Sequence, residues 1–391
     1  EEKGLEAAEP DYPEIREELS QLRVALVHYW LVTWRGGEKV IESILKIFPK
    51  ADVYTLFYDK GVCGPYLTNR NIYTSNLDRP FLRKHYQKLF PFYPTGIRSL
   101  KLKKPYDLIV SSESGPAKGI SNPNGIPHVC YIHSPMRYCW GQTQTYLDVL
   151  PKWSRPIAKR QFDRLREWDR TTIENVDLYI ANSKNVARRV NKYYQREAEI
   201  CYPPIALDLF DNSITESTRE YYLSFGAVTP AKNIALLVEA FNQIDKKLII
   251  IGSGSEELKL RRLAKENICF TGELPLDQVI QYIQSARAMV FPGEEDFGMA
   301  PLEVMSQGVP VIALGQGGAL ESIVENVTKP QESSGLFFKE PTIKSLLNAI
   351  TQFEEIESRF DPIWIRGHAR KFGEDVFQQQ FCRLVHQQVH N

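Results

Sequence analysis

The sequence predicts an α/β protein built on two doubly wound parallel sheets. Three observations carry that expectation. Short apolar runs rich in β-branched residues recur without polar alternation, as strands covered on both faces require. Each is followed by a stretch of helical period, such as "GEKVIESILKIF" or "NIALLVEAFNQI". Twelve such units in 391 residues exceed one ordinary sheet, so they divide into two Rossmann-like domains of about six strands, facing a central cleft.

Taken in order, the first twenty residues, "EEKGLEAAEPDYPEIREELS", are acidic and show no pattern of buried positions. They are expected to form a mobile extension. The first domain, 21–205, takes its strands from "RVALVHYWLV" (23–32), "DVYTLF" (52–57), "YDLIVSS" (106–112), "HVCYIHS" (128–134), "DLYIANS" (177–183) and "AEICYPP" (198–204). The polar, strand-poor "ALDLFDNSITESTRE" (206–220) marks the seam. The second domain, 206–365, takes "YLSFGAV" (222–228), "KLIIIGSG" (247–254), "ICFTG" (268–272), "RAMVFPG" (287–293), "VPVIALG" (309–315) and "SGLFF" (334–338). The stretch 362–391 reads as one amphipathic helix touching both domains, with 366–391 packing back on the first.

Composition narrows the function classes. Lys and Arg number 48 and Asp and Glu 48, so nothing global points to nucleic acid. No apolar run approaches the roughly 20 residues that span a bilayer, and the start shows no charged-then-apolar leader. A cytoplasmic protein is expected. Six Cys stand singly at 63, 130, 139, 201, 269 and 382, as in a reduced compartment. With no C-x-x-C and no His pairs read at ligand spacing, no metal and no cofactor are expected. The "IIIGSGSEE" run offers G-x-G after a strand, but Glu257 replaces the third Gly of a dinucleotide fingerprint. A D-x-D for a bridging cation is absent.

The informative stretch is "EEDFGMAPLE", Glu294 to Glu303, between a strand and "VMSQGVPVIALGQGG". Pro301 suits the first residue of a short helix, Gly308 its end, and Pro310 prevents its return. Glu303 then lies in the first turn and Glu295 in the loop above. Backbone N–H groups of Phe297, Gly298 and Met299 suit a phosphate. Two carboxylates beside an anion site would repel the anion unless they bind something neutral attached to it. Sugar hydroxyls fit, and one Glu for each of two sugars flanking a diphosphate describes a nucleotide sugar. The plainer alternative is a Glu favouring a helix start beside a solvated acidic turn.

Here "EEDFGMAPLEVMSQGVPVIALGQGGALESI" resembles the signature of the retaining, group-1 (family 4) glycosyltransferases, which have two Rossmann-like domains in the GT-B fold. "YWLVTWRGGEKVIE", "YDLIVSSESGPAKGI", "CYIHSPMRYCW", "NSKNVARRV", "CYPPI", "KNIALLVEAF" and "SGLFF" follow the family's order. The resemblance implies a first domain for the acceptor and a second for the nucleotide sugar. It gives Glu303 the ribose hydroxyls and Glu295 those of the transferred sugar, with Phe297, Gly298 and Met299 offering backbone N–H groups. Gly36 and Gly37 would approach the distal phosphate, and Lys232 would stabilise the leaving diphosphate. His133 would sit beside the reacting carbon, and Lys118 and Arg137 would face the acceptor. One departure matters: Ala227, in "SFGAVTPAKN", stands where members commonly carry an Arg. Other helix N-termini or an Arg of "NSKNVARRV" would have to compensate.

The resemblance implies hexose transfer from a nucleotide diphosphate sugar to a glycan or lipid-linked acceptor, in polysaccharide or glycolipid biosynthesis, without metal. UDP-glucose is the first expected donor and GDP-mannose the second. A nucleotide-sugar-binding protein with lost or weak catalysis is the alternative that Ala227 motivates. Finally, "FLRKHYQKLFPFYPTGIRSLKLKK" (81–104) has seven Lys or Arg and no acid. It reads either as a solvated helix and loop or as a contact with anionic lipid at the cytoplasmic face of the inner membrane.

Overall fold

A computed structural model describes residues 11–148, 150–207 and 219–390. The chain divides into two compact units. One runs to Pro204 and resumes at Asp375; the other is Ile205–Glu374. Much of the expected seam, 208–218, lies outside the described residues.

The first unit holds strands β1 (Val24–His28), β2 (Asp52–Thr55), β3 (Ile72–Thr74), β4 (Leu108–Glu113), β5 (His128–Ile132), β6 (Leu178–Ala181) and β7 (Glu199–Ile200). Their order is β3-β2-β1-β4-β5-β6-β7, and every pairing is parallel. Alternate side chains of a strand reach opposite faces, and both faces are covered here. Val24 and Leu26 join one core with Ile41, Ile44 and Phe48, while Ala25 and Val27 join another with Tyr54, Tyr93 and Ile97. That double burial is why β1 reads as an unbroken apolar run.

The start of the chain departs from expectation. Residues 12–21 are not a mobile extension but a helix, Tyr12–Gln21, capped by the Asp11 carboxylate on the Tyr12 N–H. Ile15 and Leu19, four apart and therefore on one face, are buried in the core that also takes Phe377, Phe381 and Val385. Strand β3 is also additional; three residues at a sheet edge give too short a pattern to read.

The second unit holds β8 (Tyr221–Phe225), β9 (Leu248–Ile251), β10 (Ile268–Gly272), β11 (Ala286–Phe291), β12 (Val311–Leu314) and β13 (Gly335–Phe338). They lie in the order β10-β9-β8-β11-β12-β13, again all parallel. The end of the chain is two helices rather than one. Pro362–Ala369 belongs to the second unit, where His368 Nε2 lies 2.8 Å from the Ser322 carbonyl. After extended Gly373, the helix Glu374–His390 belongs from Asp375 onward to the first unit, where Gln378 Nε2 lies 3.3 Å from Ser43 Oγ. The chain thus returns at 375, not 366. All six thiols are free and five are buried, Cys269 being exposed. No helix among the described residues is long and apolar enough to cross a membrane.

Candidate active site

In open α/β sheets ligands bind beyond the carboxyl ends of the strands, where the strand order reverses. In the second unit that reversal falls between β8 and β11. Lys232 ends the short turn Pro230–Lys232 that follows β8, and Glu295 lies in the loop that follows β11. The two side chains form an ion pair, Lys232 being 31% and Glu295 20% exposed. Partly withdrawn from water, such a pair is screened less than one on an open surface.

The helix after this loop is Met299–Met305, so Pro301 is its third residue rather than its first, and Glu303 lies beyond the first turn. A Pro is tolerated there because the first four N–H groups of a helix have no partner within it. Glu303 is buried. Gly298, at φ 90°, turns the chain into the helix, and the Phe297 ring is buried 5.7 Å from that of Phe372. The second Gly-rich turn, after β12, braces this loop. Gly318 N–H donates to the Glu295 carbonyl at 2.8 Å, and a Cβ on Gly318 would lie 2.6 Å from Phe297 N. Lys232, Glu295, Phe297, Gly298, Met299 and Glu303 therefore all follow the two strands at one reversal point.

In the first unit the reversal falls between β1 and β4. Gly36 and Gly37 open the helix Gly36–Ile47 that follows β1. His133 is the first residue past β5; its N–H donates to the Glu113 carbonyl, and its Nε2 lies 2.8 Å from Ser112 Oγ. A Cβ on Gly37 would meet Tyr29 Oη at 2.8 Å and stand 3.8 Å from His133 Nε2. Gly37 and His133 are thus neighbours, and side-chain bulk at 37 would close the space between them. Arg137 is half-buried in the loop after β5, where its carbonyl accepts from Gln142 N–H at 3.1 Å.

Lys118 does not face an acceptor. It is wholly buried, and its ammonium pairs with the equally buried Asp169, whose other oxygen accepts from Trp140 Nε1 at 2.7 Å and Tyr194 Oη at 2.8 Å. A buried carboxylate must be paired and hydrogen-bonded, and Lys118 supplies that charge instead of reaching a ligand.

Behind His133 lie groups the sequence reading did not single out. His28, fully buried at the end of β1, has its pKa well below the usual imidazole value. Burial is the main cause, with His133 adding to it against a small opposing contribution from the Ser112 backbone. Glu113, ending β4, is pushed up to about 8, chiefly by burial against the opposing pull of Lys118. Its Oε2 accepts from Lys118 N–H at 2.8 Å, while Oε1 has no partner. Polar residues closing otherwise apolar strands, in "VALVH" and "LIVSSE", are the signal that would have found them.

Residues 34–209 match the family described as Glycosyltransferase Family 4, and residues 208–371 that described as Glycosyl transferases group 1. The chain belongs to this family, the group-1 glycosyltransferases, and has the GT-B fold. Among curated relatives it is 25% identical over 269 residues to Alpha-1,3/1,6-mannosyltransferase ALG2 of Homo sapiens; the match covers 59% of this chain and only 63% of that protein. It is 34% identical over 112 residues to a GDP-mannose-dependent monoacylated alpha-(1-6)-phosphatidylinositol monomannoside mannosyltransferase of Corynebacterium glutamicum, covering 25% of this chain and 29% of that one. Among solved structures, Anabaena Alr3699/HepE in complex with UDP superposes with a TM-score of 0.67 at 17% identity, covering 93% of this chain and 99% of the other. That likeness concerns the fold.

Proposed function

We propose that the protein transfers mannose from GDP-mannose, with retention of configuration, to a glycan or lipid-linked acceptor in glycolipid or polysaccharide assembly. The observation that carries the transfer reading is the Lys232–Glu295 ion pair at the β8/β11 reversal. The pair puts a cation for the leaving diphosphate beside a carboxylate for the hydroxyls of the departing sugar, two groups that are adjacent in the donor. Glu303 holds the ribose hydroxyls, and backbone N–H groups of Phe297, Gly298 and Met299 serve the sugar and its phosphate. In the first unit Gly36 and Gly37 admit the distal phosphate, His133 lies beside the reacting carbon, and Arg137 serves the acceptor. Lys232 acts electrostatically, favouring the charge that develops as the sugar–phosphate bond breaks. With a cation already supplied by the chain, transfer requires no divalent metal.

Mannose is favoured because two relatives carry it in their names. UDP-glucose, first in the expectation from sequence, becomes the second donor to test. A thermal-shift screen of nucleotide sugars, followed by transfer assays in excess chelator, decides the matter. GDP-mannose should raise the melting temperature most and be consumed without metal. Binding with no release or transfer would favour the binding-protein alternative, and activity restored only by Mn2+ or Mg2+ would overturn the metal-independent mechanism.

The same reading includes contact with an anionic membrane through 81–104. Tyr93, Ile97 and Leu100 face the core, which leaves Phe81, 74% exposed, and Phe92 outside among exposed Lys84, Lys88 and Arg98. Phe90 packs 4.9 Å from Phe162, joining the segment to the helix Arg155–Thr171, near whose start Trp153 (78% exposed) and Ile157 stand free of the core. Exposed rings among cations suit the headgroup region of anionic bilayers. Co-sedimentation with phosphatidylglycerol vesicles should fall in the double variant Phe81→Ser/Trp153→Ser and at high salt; equal binding to neutral phosphatidylcholine would remove this contact from the reading.

A further inference from the structure

We infer that Glu18, His386 and His390 form a binding site for a divalent transition-metal ion of the Zn2+ class, which fastens the first helix to the last. His386 and His390 stand four apart on the helix Glu374–His390, so their rings project from one face a turn apart. This is a ligand spacing that the sequence reading passed over. Glu18 comes from the helix Tyr12–Gln21, far away in sequence, and places one carboxylate oxygen on each imidazole. Glu18 Oε2 lies 3.2 Å from His386 Nε2 and Oε1 2.6 Å from His390 Nε2. The three donor groups offer atoms within 4.8 Å of one another.

The donor set is two imidazole nitrogens and one carboxylate, which suits Zn2+, Co2+ or Ni2+ better than Mg2+ or Ca2+. With metal–ligand bonds of about 2.0–2.2 Å, neighbouring ligands of a tetrahedral ion stand roughly 3.3 Å apart. The His386–Glu18 separation already matches. The His390–Glu18 pair must open by some tenths of an ångström, which two half-exposed side chains can do by small torsional changes. Each imidazole would bind through Nε2 with its proton on Nδ1, so the metal replaces the present hydrogen bonds to the carboxylate. Solvent access leaves water as the remaining ligand.

The backbone under the site is fixed by packing. Leu19 and Val385, next to Glu18 and His386 in sequence, are both wholly buried in one core. Ligands on two packed helices lose little freedom when they close on an ion. The site carries none of the residues assigned to transfer.

The test uses the full chain, stripped with chelator and then titrated with Co2+ and Zn2+. One equivalent of Co2+ should give visible d–d absorption that Zn2+ abolishes, and Zn2+ should raise the melting temperature. His390→Ala and His386→Ala should each weaken Zn2+ at least tenfold, and Glu18→Gln should weaken it less, with the metal-free melting temperature near that of the parent. Absence of saturable binding at one equivalent would overturn the proposal, as would Zn2+ affinity unchanged in His390→Ala, which would place the ion elsewhere, for example at exposed Cys269. Transfer activity should persist in chelator while the Zn2+-dependent rise in melting temperature disappears. That separates failure of this site from failure of the glycosyltransfer reading.

Discussion

The two units share a strand order and differ in what they place at its reversal. At the ends of β1 and β4 burial favours the neutral forms of two side chains. Burial lowers the His28 pKa and pushes that of Glu113 up to about 8, and Gly37 leaves space beside His133. Beyond β8 and β11 stands a charged pair, Lys232 with Glu295. The first unit also holds a wholly buried ion pair, Lys118 with Asp169, whereas Lys232 and Glu295 remain part-exposed. One strand order thus carries buried groups held towards their neutral forms at one reversal and a part-exposed ion pair at the other. The difference lies in a few residues at strand ends and in the segments that follow them, as is usual for function grafted on a common architecture.

That contrast can be broken from either side. The largest effect should come from Lys118→Met, which leaves Asp169 buried without its cation. Losing one partner of a buried pair costs about 3–5 kcal/mol, so chemical denaturation should show a loss of that order. A variant as stable as the parent would mean that Lys118 is not the structural cation described here. Next, Lys232→Ala should spare the fold and reduce the rate of transfer by about 2.7–4 kcal/mol of transition-state stabilisation, the scale of a lost oxyanion donor. An unchanged kcat would move leaving-group stabilisation to another cation. Smaller again is Glu303→Ala, which should weaken free GDP or UDP by roughly 1–3 kcal/mol through lost charge-assisted hydrogen bonds. Glu295→Ala should leave the free nucleotide alone and blur the choice between donor sugars. Titration calorimetry distinguishes the two, and equal losses for free nucleotide would reverse or merge the assigned roles.

What the sequence conveyed follows the same division. Strands buried on both faces announce themselves as apolar runs, and each of the twelve expected segments contains a strand. The placing of Glu295 in the loop after a strand and of Glu303 in the short helix beyond it was legible in "EEDFGMAPLE" from the Gly and Pro that punctuate it. The helix Tyr12–Gln21 was not, since its apolar face is mainly Ile15 and Leu19 within a run of acids. Lys118 was misplaced because the family resemblance set it towards the acceptor, whereas only the fold brings Asp169, from a distant helix, beside it. The pair His386 and His390 has the spacing of metal ligands, but its meaning depends on Glu18, which only the fold brings near. Charges whose partner is remote in sequence are the ones a linear reading assigns to the wrong task.

Ala227 offers the finest test of the contrast. It lies half-buried between β8 and Lys232, where the family commonly places a second cation. Its backbone is held from both sides, Gly226 N–H donating to the Ile251 carbonyl at 3.0 Å and Val228 N–H to that of Ser253 at 2.9 Å. A Cβ on Gly254 would lie 2.9 Å from Val228 N, so the G-x-G after β9 serves this close approach of two loops rather than a dinucleotide. Ala227→Arg should therefore add a side chain to an unmoved backbone. If the new guanidinium reaches the diphosphate, it meets charge that grows as the sugar–phosphate bond breaks. Stabilising that charge more in the transition state than in the bound donor raises kcat; equal stabilisation only tightens donor binding. A rise of up to about tenfold, some 1.4 kcal/mol, is the expected scale. Tighter binding at unchanged kcat would show that Lys232 already supplies what the bond cleavage needs. Loss of donor binding would show the position filled by another cation, and the second unit would then be more strongly charged than its sequence suggests.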